Sequence, residues 1–348
     1  MLRLARGRVL SAAEAACGEQ QLTVELADGV HPAIADTALV GRCEPGDELI
    51  VNTAARELGL GSGGFDIVHA NLTRGLLAAP SGSERVMKLN YTSLQHAVHA
   101  VEVEMSAELP ALPPAPVAVL ALHSQLAPVA WAFAQARPTA RLGLIQTAGG
   151  ALPASRSHTV HELRERGLLA GHLTAGPAFG GAEGDAVTTA GALAYALASL
   201  RWDAALCGPG PGIQGSASAL GHGGLAALDS AHAALSLGLD TVLVPRVSSA
   251  DPRARQRGLS HHTRTVLRLV LAPVIVALPT GEDALLDGVA GLYFARHAAT
   301  DIDGYSRSGL PADFMGRPLS VESVFFTAAL AGGAVLAELV PAKLRSQG

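Results

Sequence analysis

The chain has 348 residues, of which 49% are apolar, 16% charged and 4% aromatic, with a formal net charge of −5. This composition buries a large Ala/Leu/Val core and excludes a disordered polypeptide, while the acidic balance lacks the concentrated basic face of a nucleic-acid binder. Three scattered cysteines, Cys17, Cys43 and Cys207, form no CxxC pair, which argues against a disulfide framework or zinc knuckle and fits a cytoplasmic protein.

Residues 1–75 read as five short strands, Gly7–Leu10, Gln21–Leu26, Thr37–Val40, Glu48–Asn52 and Phe65–Ala70, divided by turn signals such as Asp28-Gly29 and Pro45-Gly46-Asp47. Five short strands predict a small N-terminal β-barrel. The LGLGSGG run, Leu58–Gly64, requires positive-φ positions before the last strand. The opening segment, MLRLARGRVLSAAEAACG, has too short an apolar stretch for a signal peptide. Residues 76–116 form a connecting segment that ends in a proline-rich linker, LPALPPAP (Leu109–Pro116). Within it lies Lys88, which with Lys343 makes up the whole lysine content among 25 basic residues.

From residue 117 to 348 the rhythm changes. Apolar runs at Val117–Leu122, Leu142–Gln146, Ala170–Thr174, Ala204–Cys207, Thr241–Val244 and Val274–Leu278 alternate with helical segments. Strands apolar on both faces are covered on both faces, so the expectation is α/β: a doubly wound, mostly parallel, Rossmann-like sheet preceded by the barrel. The most apolar run, Val266–Leu278, contains Arg268 and Pro273 and is too short to span a membrane. Residues 281–319 lack a clear period and read either as a lid or as a surface excursion, and Val321–Leu339 reads as a helix.

In an open α/β sheet ligands sit beyond the carboxyl ends of the strands. That edge gathers His123 and Ser124, Gly149 and Gly150 of TAGG, Gly208, Gly210 and Gly212 of GPGPG, and the block Arg246–Thr265, RVSSADPRARQRGLSHHTRT. Ser260 is a good N-cap, so His261 and His262 lie in the first helical turn, where the helix field keeps imidazoles neutral and suited to proton abstraction or metal ligation. Adjacent helix positions diverge by about 100°, so one ring is expected to face the crevice and the other to prop it. Asp251 would orient the histidine and Arg253 clamp an anion, with Arg246 and Lys88 as further ligand contacts. The plainer alternative is a salt-bridged loop, above all for Arg255 and Arg257.

Gly210-x-Gly212-x-x-Gly215 formally matches the dinucleotide fingerprint, yet it follows the fourth strand and its loop is too long, so NAD is not expected. Ser124 lacks the GxSxG elbow of a serine hydrolase. Glu183 and Asp185 stand at a helix start, where the dipole alone favours acids; with His261 or His262 nearby they would hold a divalent metal.

Several stretches together resemble a bacterial family catalogued only as a domain of unknown function: NTAARELGLGSGG, MKLNYTSLQ, LHS at His123, GGALPASRS, AFGG, GPG followed by GHGG, DPRARQRGLSHHT, and MGR with Phe325-Phe326. The resemblance covers almost the whole chain. Its pattern implies an aspartate within TAGG and an acid directly after AFGG, where this chain has Ala148 and Ala182, and it implies no activity. The residues themselves point to a hydrolase or transferase. Its ligand would be a small anion, phosphorylated metabolites included, bound with a histidine base in a homo-oligomer that engages no nucleic acid or membrane. The rival is a non-catalytic metabolite sensor signalling through the barrel, and an oligomer without ligand comes third.

Overall fold

The computed structural model describes residues 1–59, 64–74 and 84–342, and the chain divides into two units, Met1–Val98 and His99–Gly348. In the first unit β1 (Leu4–Ala12), β2 (Glu19–Leu26), β3 (Gly29–Asp36), β4 (Glu48–Asn52) and β5 (Asp66–Asn71) close a barrel in the order β1-β2-β3-β5-β4. Alternation turns Val9, Leu22, Val24, Leu49, Val51 and Val68 into its interior. β3 pairs with β5 in parallel and the other neighbours are antiparallel.

One barrel strand differs from the sequence expectation. Thr37–Val40 is a single helical turn, α1, because the Asp36 carboxylate accepts hydrogen bonds from the Ala38 and Leu39 N–H groups and caps it. The strand is instead the preceding segment, Gly29–Asp36, which tolerates Pro32 because its pairing with β5 begins only at Ala33. A second short turn, α2 (Ala54–Glu57), precedes Gly59 and Gly64, both at positive φ (58° and 66°). Residues 60–63 of the expected glycine turn, and Lys343, lie outside the described residues. A hairpin of β6 (Val86–Lys88) and β7 (His96–Val98) ends the unit, with Lys88 buried.

The second unit is built on an all-parallel sheet. Its strands in chain order are β8 (Val117–Leu120), β9 (Leu142–Thr147), β10 (Gly171–Ala175), β11 (Gly184–Ala186), β12 (Ala204–Pro209) and β13 (Thr241–Val244). A small antiparallel pair, β14 (Val247–Ser248) and β15 (Gly258–Leu259), follows, and β16 (Val274–Pro279) and β17 (Tyr293–Ala298) complete the sheet in the order β11-β10-β9-β12-β8-β13-β16-β17. The six expected strands are present. Sequence pattern missed the two edge strands because β11 is only three residues long and half-buried, β17 is mostly exposed, and neither carries a continuous apolar run.

Both sheet faces are covered, as the doubly apolar strands require. Ala118 and Leu120 of β8 pack under α3 (Leu126–Ala136), α4 (His158–Glu165) and α9 (Ser323–Leu339). Val117 and Val119 pack under α5 (Thr189–Ala198), α6 (Ala226–Ser236) and α7 (His261–Leu269). Right-handed crossovers account for the sorting: α3 carries the chain from β8 toward the β11 edge on one face, and α6 carries it from β12 toward the β17 edge on the other. The loops leaving β8 and β12, which are neighbours, therefore diverge to opposite faces, and a switch point of this kind is where doubly wound sheets bind ligands, at the carboxyl ends of the strands. The 281–319 segment contributes β17, α8 (Ile302–Ser306) and a tight hairpin of β18 (Asp313–Phe314) and β19 (Arg317–Pro318). Among the described residues no helix is long and apolar enough to cross a membrane.

α9 is apolar all round and buried against α3 and β13. The approach is close because residues 332 and 333 lack side chains: a Cβ on Gly333 would lie 2.2 Å from the Val129 carbonyl oxygen, and one on Gly332 2.7 Å from Val244 Cγ2. Gly333→Val is expected to destabilise the chain by about 2 kcal/mol or more through overpacking. Urea unfolding reads this as a lower midpoint at unchanged slope, and a wild-type midpoint would contradict the contact.

Candidate functional site

Ser260 caps α7, its Oγ accepting the His262 N–H at 3.1 Å, and this starts the helix at the tandem histidines. The β14–β15 ladder pairs Val247 with Leu259, so the residues beside it, Arg246 and Ser260–Thr263, become neighbours. The Arg246 N–H donates to Thr263 Oγ1 at 2.9 Å and its carbonyl accepts the Ser260 N–H at 2.9 Å. A third imidazole arrives from the loop after β12, where His222 is held opposite Gly215 by an isolated antiparallel bridge. Both rings of the tandem pair, rather than one, reach it. His222 stacks on His262 with centroids 3.8 Å apart and an 11° interplanar angle, and His261 lies 4.4 Å from His262 and 5.2 Å from His222.

All three rings are neutral near pH 7. Burial, then the neighbouring His222 and Arg246, push His262 down to about 2. Burial followed by His261 lowers His222, and burial, with the nearby arginines adding, lowers His261. The direction matches the helix-field argument, but desolvation is the larger cause. Arg246 Nη1 donates to His262 Nδ1 at 3.2 Å, so the single proton of that neutral ring sits on Nε2. The Gln256 amide lies 3.4 Å from Nε2 and also bonds the Ser260 hydroxyl. The ring proton requires that amide to present oxygen to the ring and nitrogen to Ser260. By contrast, neither ring nitrogen of His222 or His261 has a hydrogen bond of standard geometry, and all four atoms are buried; the Ala219 backbone beside His222 and the Arg255 backbone beside His261 are close enough only to oppose the lowering weakly.

Beside the imidazoles lies a knot of charge. Asp251, fully buried, accepts from Arg253 Nε and Nη2 at 2.9 and 2.8 Å, and from Arg246 Nη2 at 3.4 Å; Arg317 Nη2 stands 3.7 Å away. These cations, Arg253 first, hold its carboxyl down at about 2. Glu322, also fully buried, binds Arg317 Nε at 2.6 Å and the Ser248 hydroxyl at 2.7 Å. Three guanidinium groups thus face two carboxylates, leaving one positive charge in surplus. Arg246 Nε and Arg317 Nη2 are buried donors without a hydrogen bond. Asp251 touches guanidinium groups and Arg246, not Asp251, contacts the imidazole. The hairpin at Met315 completes the knot: Arg246 and Arg317 lie over the Phe314 ring at 5.6 and 5.4 Å, and Met315 Sδ sits 3.4 Å from Arg253 Nη2.

The glycine loops have a packing reason to be glycine. A Cβ on Gly149 would lie 2.4 Å from the Gly223 carbonyl oxygen, on Gly150 2.1 Å from that of Gly210, and on Gly210 2.3 Å from that of Ala151. The loops after β9 and β12 zip together through Ala151 N–H to Pro211 O and Gln214 N–H to Gly149 O. Gly208 lies inside β12, paired with Gln146 and against Leu120. Gly212, at φ 73°, is open to its surroundings.

His123 follows β8 and bridges to β12, donating from Nδ1 to the Pro209 carbonyl at 3.2 Å. Its Nε2 then accepts the Ser157 hydroxyl at 2.9 Å, and Ser157 Oγ also caps α4 by accepting the Val160 N–H. The serine partner is therefore Ser157, whereas Ser124 shares the turn of His123. Burial lowers His123 to about 4.

The expected metal acids lie elsewhere. Glu183 is tied to Arg164 Nη2 at 2.7 Å and to the His172 N–H; Asp185 accepts the Thr174 hydroxyl at 2.6 Å and the Gly180 N–H at 2.9 Å. Asp185 stands on β11, the edge strand, five strand positions from β13, or about 24 Å at the usual spacing. Lys88 belongs to the first unit. What sequence reading left unassigned is His222, Ser157, Gln256, Arg317 and Glu322. His222 carried a signal in its glycine-flanked GHGG setting, and the others carried none.

A family model described as "Protein of unknown function (DUF3866)" matches residues 32–333, and the chain belongs to that family. No curated protein and no solved structure matches it.

Two outcomes check this geometry. Asp251→Asn leaves buried guanidinium groups without their carboxylate, with an expected cost of about 3–5 kcal/mol in chemical denaturation; a loss below 1 kcal/mol would refute the knot. His172, buried and bonded through Nε2 to Gln146 Oε1 at 3.2 Å, is lowered to about 3 by burial, with His123 and Arg164 adding. Its folded value is depressed, so the unfolded chain takes up a proton below pH 6.5 that the native chain refuses until about pH 3. Stability is complete above pH 6.5 and falls below it by about 1.4 kcal/mol per pH unit from this ring. His172→Gln should flatten the decline between pH 6.5 and 4 by that amount.

Proposed function

For this member of the family we propose an enzyme, a hydrolase or transferase, that binds a small anionic ligand, phosphorylated metabolites included, in the crevice beyond β8, β12 and β13. The observation that carries this reading is one surplus guanidinium charge beside three neutral imidazoles at a topological switch point. Buried donors without a hydrogen bond, Arg246 Nε and Arg317 Nη2, favour an oxyanion over a neutral ligand. Arg253, 36% exposed and gripped through two nitrogens by Asp251, is the guanidinium that a ligand meets first. Asp251 then orients the anion clamp.

His261 is the one residue of the three that is partly exposed, although both of its ring nitrogens are buried, and it is the group we assign to nucleophile activation, with His222 against it. His262 has a partner on each ring nitrogen, the Arg246 guanidinium on Nδ1 and the Gln256 amide on Nε2, which suits it to positioning the other two. A neutral imidazole accepts a proton, and general-base catalysis of this kind contributes about 10²–10⁴ in rate.

A panel of phosphorylated metabolites tests the reading. Arg253→Met should weaken ligand binding at least about tenfold, and His261→Ala should retain the binding that wild type shows in chelator-treated buffer while kcat falls about 10²-fold or more. Ligand bound by the wild type without turnover of any compound would identify a metabolite sensor and overturn the enzyme. Unchanged affinity in Arg253→Met would overturn the anion clamp.

A further inference from the structure

We propose that His222, His261 and His262 together hold one divalent transition-metal ion of the zinc class. The proposal deepens the reading above and rests on the same histidine cluster: with an ion bound, His261 would serve as a ligand, and water on the ion's open position, instead of a free imidazole base, would supply the nucleophile. One nitrogen from each ring lies within 4.8 Å of one from each of the others. Three neutral nitrogen donors select zinc, cobalt, nickel or copper over magnesium or calcium, which prefer oxygen. Three histidines also leave a fourth tetrahedral position for water or a substrate oxygen.

Packing alone does not account for the cluster. The core around it is alanine, leucine and valine, and apolar side chains would fill the volume without burying four ring nitrogens whose only polar neighbours outside the cluster, the Ala219 and Arg255 backbones, make no hydrogen bond of standard geometry. The space these nitrogens border is kept clear by a missing side chain. A Cβ on Gly224 would lie 3.0 Å from His262 Nδ1 and 3.1 Å from His222 Nδ1, so both Nδ1 atoms border the volume that a side chain there would occupy.

The surroundings fit a ligand set. With Nδ1 of His262 on the ion, its Nε2–H is free to bond the Gln256 amide, itself fixed by Ser260; such outer partners orient metal-bound imidazoles. His262 Nδ1 already faces a cation, Arg246 Nη1 at 3.2 Å. An entering ion takes that contact, and the guanidinium keeps Asp251, 3.4 Å from Nη2. The stacked rings of His222 and His262 must tilt to converge. Two positive groups side by side make an anion the favoured fourth ligand, so metal and phosphate should bind cooperatively. Sequence motifs hid the site: residue 222 and the 261–262 pair match no HxH or HExxH spacing.

The test uses the full, tag-free chain, stripped with a chelator and titrated with Zn²⁺ and with Co²⁺, whose visible absorption reports nitrogen ligation. One ion per chain is expected, unaffected by excess Mg²⁺ and bound more tightly in the presence of inorganic phosphate. His222→Ala and His261→Ala should each weaken it about a hundredfold or more. Gly224→Ala, which keeps every imidazole and adds one methyl to the shared space, should weaken it too. Circular dichroism and thermal unfolding verify that each variant folds. Absence of a stoichiometric Co²⁺ spectrum in the wild type, or unaltered binding in His222→Ala, overturns the proposal. If metal is not bound but His261→Ala still loses turnover, the ion fails and the imidazole base survives. If metal binds but Arg253→Met leaves phosphate affinity unchanged, the ion stands and the anion clamp fails.

Discussion

Arg246 is a cation deprived of water. Only 2% of it is exposed, and burial drags its guanidinium down to about 10, with Arg253 adding to the effect and Asp251 opposing it. A buried charge is tolerable only when paired and hydrogen-bonded. The second unit is organised around that requirement at the end of β13. Asp251 supplies the carboxylate, the β14–β15 ladder sets the loop that carries it, and Ser248 links that loop to Glu322 at the start of α9. Glu322 in turn recruits Arg317, whose hairpin lays Phe314 under both guanidinium groups and against Phe325 at 3.9 Å.

A second constraint works through backbone instead of charge. The loops after β9 and β12 come so close that residues 149, 150, 210 and 223 have no room for a Cβ. Glycine there brings two strand ends together and fixes the path to His222. Gln125 performs the corresponding task between β8 and β13: its oxygen accepts the Ala121 and Leu122 N–H groups, and its nitrogen donates to the Val244 and Pro245 carbonyls. His123 adds the bond from β8 to β12. Three strand ends are thereby locked by polar side chains with their hydrogen bonds made, which gives rigid support to the imidazoles beside them.

The architecture was legible wherever burial writes a periodic pattern. Val117–Leu120 is apolar at every position because helices cover both faces, and that run marks a central parallel strand. β11 and β17 face solvent on part of their surface and left no such mark. Thr37–Val40 misled because a four-residue apolar run fits either period, and the Asp36 cap decided the matter. Ser260 announced α7, and with it the tandem imidazoles, since a capping hydroxyl acts on N–H groups two residues away and needs nothing distant.

Local chemistry of this kind is what the amino-acid order determined unaided: a small barrel, a doubly wound sheet, and a capped helix that begins at tandem histidines. The partners of those histidines were decided by tertiary structure. His222 lies 40 positions before His262 and Glu322 lies 71 positions after Asp251, and no rule of spacing connects them. They meet because crossovers diverge at β8 and β12, and because the charge buried on Arg246 draws carboxylates from distant segments. Pairing energy depends on distance in space and on exclusion of water, and neither quantity is written in the separation of residues along the chain.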